Sequence, residues 1–224
     1  MSGRAAAVAL ALLAGCAPDR AGPVVFAAAS TADVVSETAP RATVSVAASS
    51  VLARQIARGA LADVFVTADP VWIDWLVEEG VEVLDRRVVA QGRLVVVGLR
   101  GNTAGGPFED RIAMGDPSHV PAGRYGRAAL EAAGRWVDVA PRAVYTGDVR
   151  AALAAVETGA ADRAVVYGSD VRASPHVRVL HAFPEAESGP VLFEAALLTG
   201  RGRAAFAALA SAAWETSGFQ PKAP

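Results

Sequence analysis

Two serines stand where an apolar run gives way to helical sequence. Ser30 closes "VVFAAAS" (24–30), and Ser49 lies inside "VSVAASSVLARQIARGA" (44–60). A serine at a helix start is a natural N-cap, because its oxygen accepts from unpaired first-turn N–H groups. The same position allows a second chemistry. A helix N-terminus carries free donors and a partial positive charge, so it attracts anions, and a hydroxyl beside it adds one more donor. Three further segments repeat the theme. "GDPSHVPAGRYG" (115–126) puts Pro121, Ala122 and Gly123 at a helix entry, where proline fits the first turn. "YTGDVRAAL" (145–153) gives another entry, with Thr146 as its cap, Asp148 beside it and Val149 in the first turn. "VVYGSD" (165–170) sets Tyr167 at the end of an apolar run. Facing one point, these groups would form a small cage of neutral donors.

The cage needs strands that end together. Residues 24–28, 43–47, 62–68, 93–99, 111–117, 163–171 and 177–183 read as strands, most of them continuous apolar runs of the kind buried in parallel sheets. Residues 70–80, 123–134, 147–159 and 203–216 read as helices, several stopped by glycine. Residues 101–107 read as a loop. Strands alternating with helices predict an α/β fold with parallel sheets, in which ligands sit at the carboxyl ends of strands. No repeat or linker separates independent domains, so two lobes would require the chain to cross between them more than once.

Composition narrows the partners. The chain has 224 residues and a net charge of −2, with Lys222 its one lysine, so it offers no basic field for nucleic acid. Its single cysteine, Cys16, supports neither a disulfide framework nor a thiolate metal site. Cys16 ends "LAGC" after the apolar run 5–14, which is shorter than the roughly 20 residues of a membrane-spanning helix and fits a secretory signal. "LAGC" also resembles the bacterial lipobox, in which the cysteine is lipidated and becomes the new N-terminus. On that reading residues 1–15 are a signal peptide and 16–23 a tether.

Catalysis is not expected. His119, His176 and His181 form no metal-ligand pair, "GxSxG" is absent, and "GNTAGG" (101–106) lacks the Gly-Lys-Ser/Thr of a phosphate-binding loop. Asp69 reads as the cap of the helix at Pro70, and the four tryptophans as packing residues.

Taken together, "FAAAS", "AASSVLARQIARGALADVFVTAD", "GDPSHVPAGRY", "DVRAALAAVE", "VVYGSD" and "FPE" resemble, in order, the molybdate-binding receptors of bacterial ABC importers. The resemblance runs from Val24 to Phe219. It implies a two-lobed type II periplasmic-binding-protein fold with a ligand cleft, lobe 1 holding residues 24–91 and 189–224 and lobe 2 holding 92–188. The chain would cross near 90–97 and 180–190. It implies further that a tetrahedral oxyanion, molybdate or tungstate, is held without a cation or cofactor. Ser30 and Ser49 would donate through hydroxyl and amide, Ala122 and Val149 through backbone N–H, and Tyr167 through its phenol. Molybdenum would be bound only as the oxyanion. The implied partner is an ABC permease, and the implied state is an extracytoplasmic, lipid-anchored monomer that catalyses nothing. Sulfate is also a bare dianion, so a sulfate receptor is the alternative ligand reading; an oxyanion sensor or buffer at the cell surface is the alternative role. The chain departs from the family in a short segment after Ser30, a missing helix between Leu99 and Arg111, a trimmed C-terminal helix and Ala48 in place of a serine.

Overall fold

Short runs of valine and alanine build the first sheet. In the computed structural model, which describes residues 22–101 and 105–221, β1 (Val24–Ala28) pairs in parallel with β2 (Thr43–Ala47) and with β3 (Val64–Thr67). Cys16, the signal segment, most of the tether and Lys222 lie outside the described residues. Two strands not expected from the sequence complete this sheet. β4 (Asp85–Gly92) forms one edge, and β10 (Val191–Leu197) inserts between β3 and β4, antiparallel to both. The order is β2-β1-β3-β10-β4.

The second sheet repeats the plan. It contains β5 (Leu94–Leu99), β6 (Ile112–Gly115), β7 (Ala143–Thr146), β8 (Arg163–Tyr167) and β9 (Val177–Ala182), in the order β7-β6-β8-β5-β9. β6 runs parallel to β7 and β8, whereas β5 is antiparallel to β8 and β9. Both sheets are therefore mixed, and the expectation of purely parallel sheets is corrected: a strand arriving from the other half enters each sheet with reversed direction. The fold is nonetheless α/β and two-lobed, with the chain passing between sheets at Arg93 and again between β9 and β10.

Helices follow the parallel strands. They are α1 (Ala32–Thr38), α2 (Ser49–Ala57) and α3 (Val71–Glu78) on the first sheet, and α4 (Pro121–Ala132), α5 (Trp136–Val139) and α6 (Val149–Glu157) on the second. α2 buries Leu52, Ala53 and Ile56 at helical spacing, and α6 buries Ala152, Leu153 and Val156. After β9 come α7 (Glu185–Ser188), α8 (Arg203–Ala208) and α9 (Ala213–Thr216). The single closing helix expected over 203–216 is thus two pieces. Ser211 Oγ accepts the Ala213 N–H at 3.1 Å, and the buried Trp214 donates from Nε1 to the Leu209 carbonyl at 2.8 Å. A serine that bonds locally offers the backbone an alternative to the helical ladder.

The consequence for function is directional. β1, β2 and β3 of one sheet and β6, β7 and β8 of the other all deliver their carboxyl ends to one cleft.

Candidate functional site

Each strand end hands over to a donor. β1 runs into a 3₁₀ turn, Ala29–Thr31, that carries Ser30. β2 runs into α2 with Ser49 as its first residue. β6 leads to α4, with Pro121 and Ala122 at its start, and β7 leads to α6, which begins at Val149. β8 ends at Tyr167. All five residues are buried, and all five line one small cavity, together with Ala28, Ala29, Ala48, Ala68, Val120, Pro121 and Asp148. Alanine is the commonest lining residue, five of the twelve, so backbone amides approach the space closely.

The serines are not the caps that local sequence suggests. No side-chain cap closes α2, because Ser49 sits one residue inside the helix, and its Oγ instead accepts the Ala68 N–H at 3.1 Å. That bond occupies an acceptor lone pair and leaves the hydroxyl proton to donate. Ser30 Oγ and Tyr167 OH are buried with no hydrogen-bond partner. Thr146 is not the cap of α6 either. Its hydroxyl lies 2.8 Å from the Asp148 carbonyl, and Asp148 caps the helix by accepting the Ala151 N–H at 2.9 Å.

Electrostatically the lining is neutral or donor-bearing, apart from Asp148. Burial, with Tyr125 and Asp170 adding to it, holds the Tyr167 phenol well above its ordinary range, so it remains an O–H donor. Its ring packs edge-on against Phe193, with centroids 5.2 Å apart. The first-turn amides of α2, α4 and α6 have no helical acceptor and point their partial charge into this space. A cage of this kind can hold a small, fully deprotonated anion. A protonated anion needs an acceptor, and leaving that proton unpaired costs about 1–3 kcal/mol.

Residues that sequence reasoning did not assign lie just behind the cavity. Arg150 Nη2 bonds Asp33 Oδ2 at 2.9 Å and Nε bonds the fully buried Asp170 at 2.7 Å. Arg124 Nη1 bonds Asp69 Oδ2 at 2.6 Å, and Asp69, one residue before the Pro70 N-cap of α3 rather than the cap itself, accepts the Val71 N–H through Oδ1. Ser50 Oγ and His119 Nδ1 are 3.1 Å apart. A signal for the arginines existed: a cation near a helix N-terminus opposes the macrodipole, so it calls for an acidic partner.

Asp170 also accepts the Tyr167 N–H at 3.1 Å. Burial pushes its carboxyl up to about 6, against the opposing pull of Arg150 and of that N–H bond. The folded value lies above the unfolded one, so this group's stabilisation is full below about pH 4 and is lost as pH rises through about 6. Wild type should therefore lose on the order of 3 kcal/mol relative to Asp170→Asn across that window. Urea unfolding of both proteins at a series of pH values checks it; a constant difference would refute the assignment.

Comparison with known proteins places this geometry among relatives. A family model described as bacterial extracellular solute-binding protein matches residues 23–219. The molybdate-binding protein ModA of Escherichia coli (strain K12) is 35% identical over 220 residues, covering 89% of this chain and 86% of that protein. The periplasmic molybdate-binding protein of Azotobacter vinelandii superposes with a TM-score of 0.76 at 21% identity, over 90% of this chain and all of that one. The sulfate-binding protein SubI of Mycobacterium tuberculosis H37Rv superposes with a TM-score of 0.72 at 17% identity, over 91% of this chain and 88% of that one. At such identities the two structures establish the fold alone.

Proposed function

This chain belongs to the bacterial extracellular solute-binding proteins, and from that premise we propose that it is a receptor for molybdate, and for tungstate, delivering the anion to an ABC permease. One observation carries the ligand reading. Two buried hydroxyls, Ser30 Oγ and Tyr167 OH, have no protein partner and line one small cavity beside three helix N-termini. A buried hydroxyl without a partner is costly, so a site that keeps two of them has an acceptor to offer them to. A tetrahedral dianion presents four acceptor oxygens and no proton.

Ser30 and Ser49 then donate from one lobe, and the amides of Ala122 and Val149 and the Tyr167 phenol from the other. The anion bridges the lobes and favours their closed arrangement. The protein breaks no bond and needs no cofactor. Cys16, lipidated after removal of residues 1–15, anchors it as a monomer outside the cytoplasmic membrane.

The test is thermal unfolding with molybdate, tungstate, sulfate and phosphate added separately. An anion at about 1,000 times its Kd stabilises by about 4 kcal/mol, which moves the midpoint of a chain this size by about 8–16 °C. That shift is expected with molybdate or tungstate and should be small with sulfate. An equal or larger shift with sulfate would move the assignment to a sulfate receptor, and no shift with any anion would overturn it.

A further inference from the structure

The charges behind the cavity are sorted by lobe. Asp33 and Asp69 stand on the first sheet's half, and Arg150 and Arg124 on the second's. Each ion pair therefore crosses the cleft, one at 2.9 Å and the other at 2.6 Å. Each adjoins a different set of cavity-lining residues. Asp33 lies three residues beyond Ser30, and Arg150 directly follows Val149; Asp69 directly follows Ala68, and Arg124 lies two residues beyond Ala122. Ser50 and His119 add a third crossing contact at 3.1 Å.

Both pairs are held from behind. Asp170, fully buried, fixes the Arg150 Nε at 2.7 Å, and the Val71 N–H fixes Asp69 at 3.2 Å. A charge-assisted hydrogen bond tolerates only a few tenths of an ångström about its optimum. Two such bonds across the cleft therefore set how far apart the two lobes stand. The distance from Ser30 and Ser49 to Ala122 and Val149 is then a property of the protein and not of the ion between them.

We infer that the Asp33–Arg150 and Asp69–Arg124 pairs form a two-point clasp that makes the site selective for ion size, holding the cavity at the width of a larger tetrahedral oxyanion such as molybdate. A smaller sulfate of the same charge reaches the donors of one lobe and falls short of the other. Without the clasp the lobes settle onto the smaller ion and the penalty disappears. Selectivity here is a rejection built against the competitor, not an extra contact to the preferred ion. The inference rests on the proposed reading of the cavity as an oxyanion site.

The experiment measures Kd for molybdate and for sulfate by calorimetric titration of wild type, Asp33→Asn, Arg124→Gln and the double variant. Asp33 and Arg124 are the more exposed partners of their pairs, with side chains 74% and 41% accessible, so the fold should stand. The midpoint of unfolding without anion is the control for it. Each exposed pair contributes a factor of about two to five, so molybdate binding should weaken roughly tenfold in the double variant. Sulfate binding should hold or strengthen, and the ratio of the two Kd values should shrink by about that factor. An equal loss for both ions would make the pairs closure struts without selectivity and overturn the inference, as would an unchanged ratio. Wild type that binds neither ion would overturn the reading of the site itself, separately from the clasp.

Discussion

Gly123→Ala should abolish high-affinity anion binding, although it adds one methyl group to a helix. Gly123 is the third residue of α4, and a Cβ built on it would stand 2.1 Å from the Gly115 carbonyl oxygen and 2.7 Å from the Asp116 carbonyl carbon. Those neighbours are backbone and cannot rotate away. They are also anchored, because Gly115 is in register with Thr146 of β7 and the Asp116 N–H bonds the Thr146 carbonyl at 3.0 Å. The helix start must retreat, and the Ala122 amide retreats with it. Overpacking of this kind costs about 1–3 kcal/mol. An error of about an ångström in a positioned group costs on the order of a hundredfold. The control is Gly126→Ala on the same helix, whose Cβ would meet the far end of the buried Met114 at 2.8 Å and Val165 Cγ1 at 3.1 Å, side chains away from the helix start, so it should cost stability and bind nearly as wild type. Titration with molybdate separates them; wild-type affinity in Gly123→Ala would refute the geometry.

Tyr167→Phe should move stability and affinity in opposite directions. The ring keeps its contact with Phe193, while the hydroxyl without a partner is removed. The unliganded protein should gain about 1 kcal/mol or more, because an unsatisfied buried hydroxyl is costly. Binding should weaken by roughly 10- to 150-fold, the worth of a hydrogen bond to a charged group. Unfolding without anion and titration with molybdate read the two effects. A hydroxyl with a structural role would give a loss in both, and that result would end its assignment as a donor.

The positions of the proposed donors were more legible than the sheet around them. Ser30, Ser49, Ala122, Val149 and Tyr167 sit at strand ends or at the helix starts that follow, and a short apolar run followed by a helix start is a local pattern that survives in sequence. β10 was missed because it carries a buried charge: Glu194 interrupts "VLFEAAL" and is matched by Arg86 on the neighbouring β4, with Oε2 and Nη2 2.7 Å apart. β4 was missed because it opens with Asp85, Arg86 and Arg87. Glu194 and its partner Arg86 lie about a hundred residues apart, and no window of sequence contains both. The same reason hid the cleft-crossing ion pairs, since Asp33 and Arg150 look like ordinary surface charges until the fold opposes them. Capping was misjudged at Ser49 and Thr146 for a smaller reason: a shift of one or two residues takes a hydroxyl off the cap position and gives it another partner.

The insertion of β10 between β3 and β4 also sets an order of assembly. The strands of the second sheet all lie within residues 94–182, so that sheet can pair as soon as its own stretch of chain exists. The first sheet cannot. Until residues 191–197 emerge, β3 and β4 have no neighbour between them, and each presents a bare edge of the kind that invites pairing with another chain. Closing that gap joins residues more than a hundred positions apart, and such long-range pairing is slow. The half that carries Ser30 and Ser49 is therefore the late-folding half, and it depends on residues 191–197 for the strand that joins β3 to β4.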